Sequence, residues 1–99
     1  MEFLVYMEVT EIRATAEDEA ALRSAEAARA GELAAEGILI RLWRVPGKRA
    51  NWGIWQARDA TQLHLALVSL PLFPYLSIAV HPLAAHPNDP GRQPQQLPA

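Results

Sequence analysis

Three ionisable residues on one Ala-rich stretch set the chemical question. Counting roughly 100° per residue from Leu22, the side chains of Leu33, Glu26 and Arg29 fall close to one direction. Arg23 lies about a quarter turn away, at the margin. A carboxylate and a guanidinium thus share the stripe that two leucines mark as inward-facing. Burying a carboxylate is costly unless it is paired, and burial raises its pKa. A glutamate lifted toward neutrality is the kind of group that can take a proton from carbon. The competing reading is an ion pair from Glu26 to Arg29 or Arg23 on a half-buried helix edge, which such helices tolerate easily. Spacing leaves both open.

The strands facing this helix offer partners. Arg41 and Trp43 alternate onto one face of a strand, Leu42 and Arg44 onto the other, and Asn51 shares a face with Gly53 and Trp55. Cations within mostly apolar strands suggest an anionic ligand. The alternative is that Arg41 and Arg44 cap sheet edges or pair with acids of another subunit. His64 lies among leucines and reads as a packed or hydrogen-bonded histidine, while His81 and His86 flank the end of the last strand. No His, Asp and Glu spacing makes a convincing metal site. There is no Gly-rich phosphate loop and no Ser-His-Asp order.

The elements that must position these residues follow from pattern. Phe3 to Val9 reads as a strand. Thr15 with Asp18 three residues on resembles a capping box, opening a helix that runs to about Glu36 and stops at Gly37. Ile38–Val45 and Ala50–Gln56 flank the turn Pro46–Arg49 and form a hairpin. Asp59 with Gln62 caps a short apolar helix through Val68, and Tyr75–Val80 is a last strand. The order β-α-β-β-α-β is the split βαβ, ferredoxin-like pattern of an α+β fold. Two helices cover one face of an antiparallel sheet, each returning the chain to a strand beside the one it left. The bare face carries apolar residues, and pairing with another sheet covers it.

Between the second helix and the last strand lies Ser69-Leu70-Pro71-Leu72-Phe73-Pro74-Tyr75. Its prolines end the helix and stiffen the turn. A PxxP ligand is the weaker reading, because such ligands sit in disordered, polar surroundings.

Ninety-nine residues with 51% hydrophobic content make one domain with a compact core. The net charge of −2, with no basic stripe, argues against nucleic acid as a partner. There is no cysteine, hence no disulfide framework and no thiolate chemistry. The first residues do not read as a signal peptide, and no run approaches the roughly 20 apolar residues that span a bilayer. The expectation is a cytoplasmic protein with no membrane partner. Residues 1–88 form the domain, and 89–99, rich in Pro and Gln, a flexible tail.

With these residues in place, the chain resembles the muconolactone δ-isomerase family. The matching stretches are Leu22-Arg23-Ser24-Ala25-Glu26, Leu42-Trp43-Arg44 with Gly47 and Ala50-Asn51, Leu63-His64, Leu70-Pro71-Leu72-Phe73-Pro74-Tyr75, and Leu83 with His86-Pro87. They are collinear over about residues 1 to 88. The resemblance implies chains that pair through their sheets in the manner of dimeric α+β barrels and build a larger ring, a decamer in family members. It implies a cofactor-free isomerase of the β-ketoadipate route of catechol breakdown, converting muconolactone to 3-oxoadipate enol-lactone. Glu26 then matches the proton-shuttling glutamate, and Arg23 stands where the family usually has lysine. Asn51 would donate to the lactone oxygen, and Trp43 and Arg44 would shape the pocket or the subunit contact. Arg41, Arg29 and His86 are further candidates for holding a small anionic lactone.

The chain departs from the family at Leu39-Ile40-Arg41, Arg49, Arg29, Gly53 and Ala85, most of them near the expected site. Two rivals follow: an isomerase or cyclase of another enolisable metabolite, and a non-catalytic oligomeric binding protein. The binding protein predicts a Glu26 neutralised by Arg23 or Arg29. The enzymes predict a partly desolvated Glu26 facing a pocket, near an arginine but not clamped by it.

Overall fold

Alternation along the first strand fixes which side of the sheet is inside. Phe3, Val5 and Met7 are buried, while Leu4, Tyr6 and Glu8 between them are only partly covered. In the computed structural model, which describes residues 1–91, this strand is β1 (Glu2–Val9). It is followed by α1 (Ala16–Ala35), β2 (Leu39–Arg44), β3 (Ala50–Gln56), α2 (Ala60–Val68), a 3₁₀ turn (Phe73–Tyr75) and β4 (Leu76–Leu83). The βαββαβ order is the expected one. Of the expected tail, residues 92–99 lie outside the described residues.

The strands form one antiparallel sheet in the order β2-β3-β1-β4. This corrects the expectation that each helix returns the chain to an adjacent strand: β3 stands between β1 and β2, and β1 between β3 and β4. The reason is burial. The apolar row of β1 pairs with β3 on one side and β4 on the other, taking the centre where both helices can cover it. Leu33 from α1 and Leu63, Ala66 and Leu67 from α2 pack with Phe3, Val5 and Trp55 in a single core.

Local signals place the elements. Thr15 caps α1 by accepting from the Asp18 amide at 3.1 Å. At the other end, Gly37 adopts φ +77, its amide donates to Ala34 O, and the Ile38 amide donates to Leu33 O. That pair of bonds is a Schellman motif, which needs the left-handed conformation glycine supplies. Asp59 caps α2 by accepting from the Gln62 amide at 2.8 Å. The Gln62 side chain in turn accepts from the Arg58 amide.

The proline-rich stretch proves to be architecture. Leu70 and Leu72 are buried anchors. The amides of Leu70, Phe73 and Tyr75 close successive turns on Leu67, Leu70 and Leu72 carbonyls. Pro71 and Pro74 have no amide to place. The Leu72 amide is left over, and its partner lies on α1.

No helix among the described residues is long and apolar enough to cross a membrane. The outer strand β2 is exposed from Ile40 to Arg44, and Trp43, Trp52 and Leu83 lie open to solvent. Trp43 pairs in register with Trp52 on the helix-free face.

Leu33 is fully buried where α1 meets the sheet. Its truncation to alanine should cost about 3 kcal/mol, the usual loss for a packed leucine. Urea unfolding measures this; a loss under about 1 kcal/mol would show that α1 is not anchored at this point.

Candidate active site

Helix α1, strands β1 to β3 and the proline turn converge on one opening. α1 projects Glu26 and Arg23, the turn offers the Leu72 amide, and β3 contributes Asn51 and Trp55. Leu42 closes the side. Together they enclose a mostly apolar cavity of about 200 Å³. A larger, more polar cavity of about 650 Å³ adjoins it, sharing Glu26, Arg23, Asn51, Leu42, Leu72 and Met7. Its outer wall is the β2–β3 hairpin, with Trp43, Arg44, Lys48 and Arg49.

Glu26 sits at the junction of the two. One carboxylate oxygen, Oε1, accepts from the Leu72 amide at 3.0 Å. Burial pushes its pKa above the ordinary carboxylate range, and the amide donor pulls the other way without cancelling that effect. No cation pairs with it among the described residues. Arg23 is held instead by Glu19, with Nε and Nη2 at 3.3 and 3.2 Å from the same carboxylate oxygen. That oxygen also accepts from Arg49 Nη2 at 3.1 Å. Arg29 pairs with Glu32 at 3.5 Å and donates from Nε to Ser69 Oγ at 2.9 Å. The ion pair that would have made Glu26 a structural residue is absent, and each arginine has another acid. Such an arrangement leaves a half-buried carboxylate poised to exchange a proton with a molecule in the cavity.

Of the residues singled out in the sequence, Glu26, Arg23 and Asn51 line both cavities, and Trp43 and Arg44 the larger one. Arg41, Arg29 and His86 line neither. Arg41 stacks over the Trp43 ring, 4.7 Å from its centroid. His86 lies beyond β4, its Nδ1 accepting from the Asn88 amide at 3.0 Å.

The sequence reading missed the Leu72 amide as the partner of Glu26, Glu19 as the acid that holds Arg23, and Trp55 as a cavity wall. A main-chain donor leaves no side-chain signal. Glu19 precedes Arg23 by four residues, a helical pairing distance that could have found it. Trp55 lies over Gly53: a Cβ added there would meet Trp55 Nε1 at 2.8 Å and Leu42 Cδ2 at 2.9 Å. Only glycine leaves room for the indole.

Comparison with known proteins bears on this site. The muconolactone delta-isomerase family profile matches residues 1–89. A muconolactone delta-isomerase of Cupriavidus pinatubonensis is 43% identical over 67 residues, covering 68% of this chain and 73% of that protein. One from Acinetobacter lwoffii is 39% identical, covering 72% and 74%. The crystal structure of a muconolactone isomerase superposes with a TM-score of 0.85 at 33% identity, covering 94% of this chain and 98% of the other. A 5-chloro-2-hydroxyhydroquinone dehydrochlorinase from Burkholderia phenoliruptrix shares the fold, with a TM-score of 0.59 at 15% identity over 87% and 96% of the two chains.

The raised pKa of Glu26 has a thermodynamic sign. The folded chain favours the protonated carboxyl, so the stabilisation it gives is complete at acid pH and is lost as pH rises through the raised value. Glu26→Gln mimics the protonated form. Its melting temperature should exceed that of the wild type at about pH 8 and match it at about pH 4. A variant less stable than wild type at the higher pH would mean that the bond to Leu72 outweighs desolvation.

Proposed function

Since this chain belongs to the muconolactone delta-isomerase family, we infer that it moves a C=C double bond within a small unsaturated lactone, with Glu26 carrying the proton. The substrate is muconolactone or a close analogue. The observation that carries the assignment to Glu26 is its carboxylate, half-buried on the cavity wall, bound to one main-chain amide and without an ion pair among the described residues.

The chemistry needs one base. Ionised Glu26 takes the proton from the ring carbon that bears the acetate arm, and the C–H electron pair enters the conjugated system as a dienolate. The carboxylic acid so formed returns the proton to the carbon beside the lactone carbonyl. The double bond shifts, and no atom is added or lost. A raised pKa suits this cycle, because a weakly acidic carboxyl is a stronger base and still gives the proton back.

The other residues take supporting parts. Arg23, held by Glu19, presents a fixed cation to the acetate arm or to the dienolate, where a lysine would be a freer point charge. Asn51 reaches the lactone oxygen from β3. Arg44 and Trp43 shape the outer cavity. Arg29 acts at a distance, steadying Ser69 at the head of the proline turn.

A non-catalytic binding protein would have Glu26 neutralised by Arg23 or Arg29, and both are engaged elsewhere. In our reading the chains also pair through their helix-free sheet faces, as dimers within a larger homo-oligomer. Trp43, Trp52 and Leu83, exposed on a single chain, support it. Arg41, stacked on Trp43, then belongs to the contact between chains, and His86 to the chain's outer end.

Proton NMR of racemic muconolactone in heavy water tests the function directly. Wild type should move the double bond and place deuterium beside the carbonyl, while Glu26→Gln should be slower by about a thousandfold. An active Glu26→Gln would reassign the base, and an inactive, folded wild type would reassign the substrate. The wild-type rate should fall on acidification at a pH above the ordinary carboxylate range, since the base must be ionised. Sedimentation tests the assembly: a species of a single 10.9 kDa chain at micromolar concentration would refute the pairing of sheets.

A further inference from the structure

Two polar atoms in the cavity wall are buried without a partner among the described residues, Trp55 Nε1 and Asn51 Oδ1. Trp55 is only 2% exposed. An indole N–H is a donor and nothing else, so it requires an acceptor. Nearly all buried donors in native interiors have one, and leaving one unmade is costly. No described residue supplies one here. Of the Glu26 carboxylate in the same wall, Oε1 is bound to the Leu72 amide.

The placement of this donor is specific. Trp55 and Asn51 lie on one face of β3 with Gly53 between them, and both line the cavity that holds Glu26. The absence of a Cβ at Gly53 is what lets the indole nitrogen lie over the strand on the Asn51 side. The Asn51 side chain, which lines the same cavity, has a buried oxygen without a partner among the described residues, and a half-turn of that amide puts N–H there instead. Two donors would then meet a single acceptor.

A butenolide has such an acceptor. Its carbonyl oxygen is neutral in the ground state and gathers negative charge as the dienolate forms. We propose that Trp55 is a further substrate-contacting residue of this isomerase, its indole N–H donating to the lactone carbonyl oxygen and binding it most strongly as the dienolate. Gly53 is a positioning residue, acting by keeping the indole in place. The proposal rests on the isomerase reading above and adds to it the group that stabilises the developing oxyanion.

The test uses the full-length protein and two readouts. In ¹⁵N-labelled wild type, the Trp55 indole resonance is assigned with Trp43→Phe and Trp52→Phe. The protein is then titrated with the saturated lactone that keeps the acetate arm and cannot isomerise. The Trp55 N–H proton should move downfield and become protected from exchange. This readout needs no Trp55 variant to fold. In turnover of muconolactone, Trp55→Phe should lower kcat by about ten- to a thousandfold with little change in KM, since the bond matters most in the transition state. Gly53→Ala should lower kcat as well, and should add little on the Trp55→Phe background, because both changes act through one N–H. A Trp55 resonance unmoved at saturation, or a folded Trp55→Phe with kcat within about twofold of wild type, overturns the proposal while leaving Glu26 its role. A wild type that turns over neither muconolactone nor a close butenolide analogue overturns the isomerase reading and this proposal together.

Discussion

One main-chain amide organises this molecule's candidate site. The Leu72 N–H is the donor left over when the proline turn has closed its own bonds, and it is spent on the Glu26 carboxylate. The bond ties α1 to the segment between α2 and β4, two parts of the chain separated by 46 residues. It fixes the carboxylate's position without supplying a charge. A lysine or arginine in the same place would hold the group more firmly, and would also lower its pKa and weaken it as a base. A neutral donor orients the group and leaves burial as the dominant influence on its proton.

The arginines around the carboxylate obey the same constraint. Arg23 and Arg49 converge on Glu19, and Arg29 on Glu32, so positive charge stands near the cavity while the carboxylate stays unpaired. Glu19 is therefore as much a part of the arrangement as the cations it holds. Ion pairs this exposed contribute little to stability. Their effect here is directional: they set where each guanidinium rests.

Much of the fold was legible because it is written in short-range chemistry. Thr15 and Asp59 announce helix starts, Gly37 a helix end, and the alternation around Phe3, Val5 and Met7 a buried strand face. Strand order was less so, since an adjacent return satisfies the same local signals as a skipped strand. For the site, the stripe shared by Leu22, Glu26, Arg29 and Leu33 put the carboxylate on the inner edge of α1, and Leu33 and Glu26 are indeed covered. The partners of Arg23 and Arg29 could not be ranked from spacing, because each arginine has more than one acid within a helical turn. Arg41 illustrates another limit: alternation assigns it a face, but only the sheet shows that this face is the one without helices.

The two walls of the cavity differ in kind. The Glu26 carboxylate, its amide partner and the core anchors Leu70 and Leu72 belong to the buried side. Trp43, Arg44, Lys48 and Arg49 belong to an edge hairpin whose turn is held by Gly47 at φ +79 and whose outer strand pairs only with β3, its far edge open among the described residues. In the proposed isomerase, reaction and recognition thereby fall to separately mutable parts. Substitutions in the hairpin can drift without disturbing the core that positions the carboxylate. Over evolutionary time, such a scaffold can be retargeted to new substrates by changes in a loop while the same proton chemistry is inherited intact.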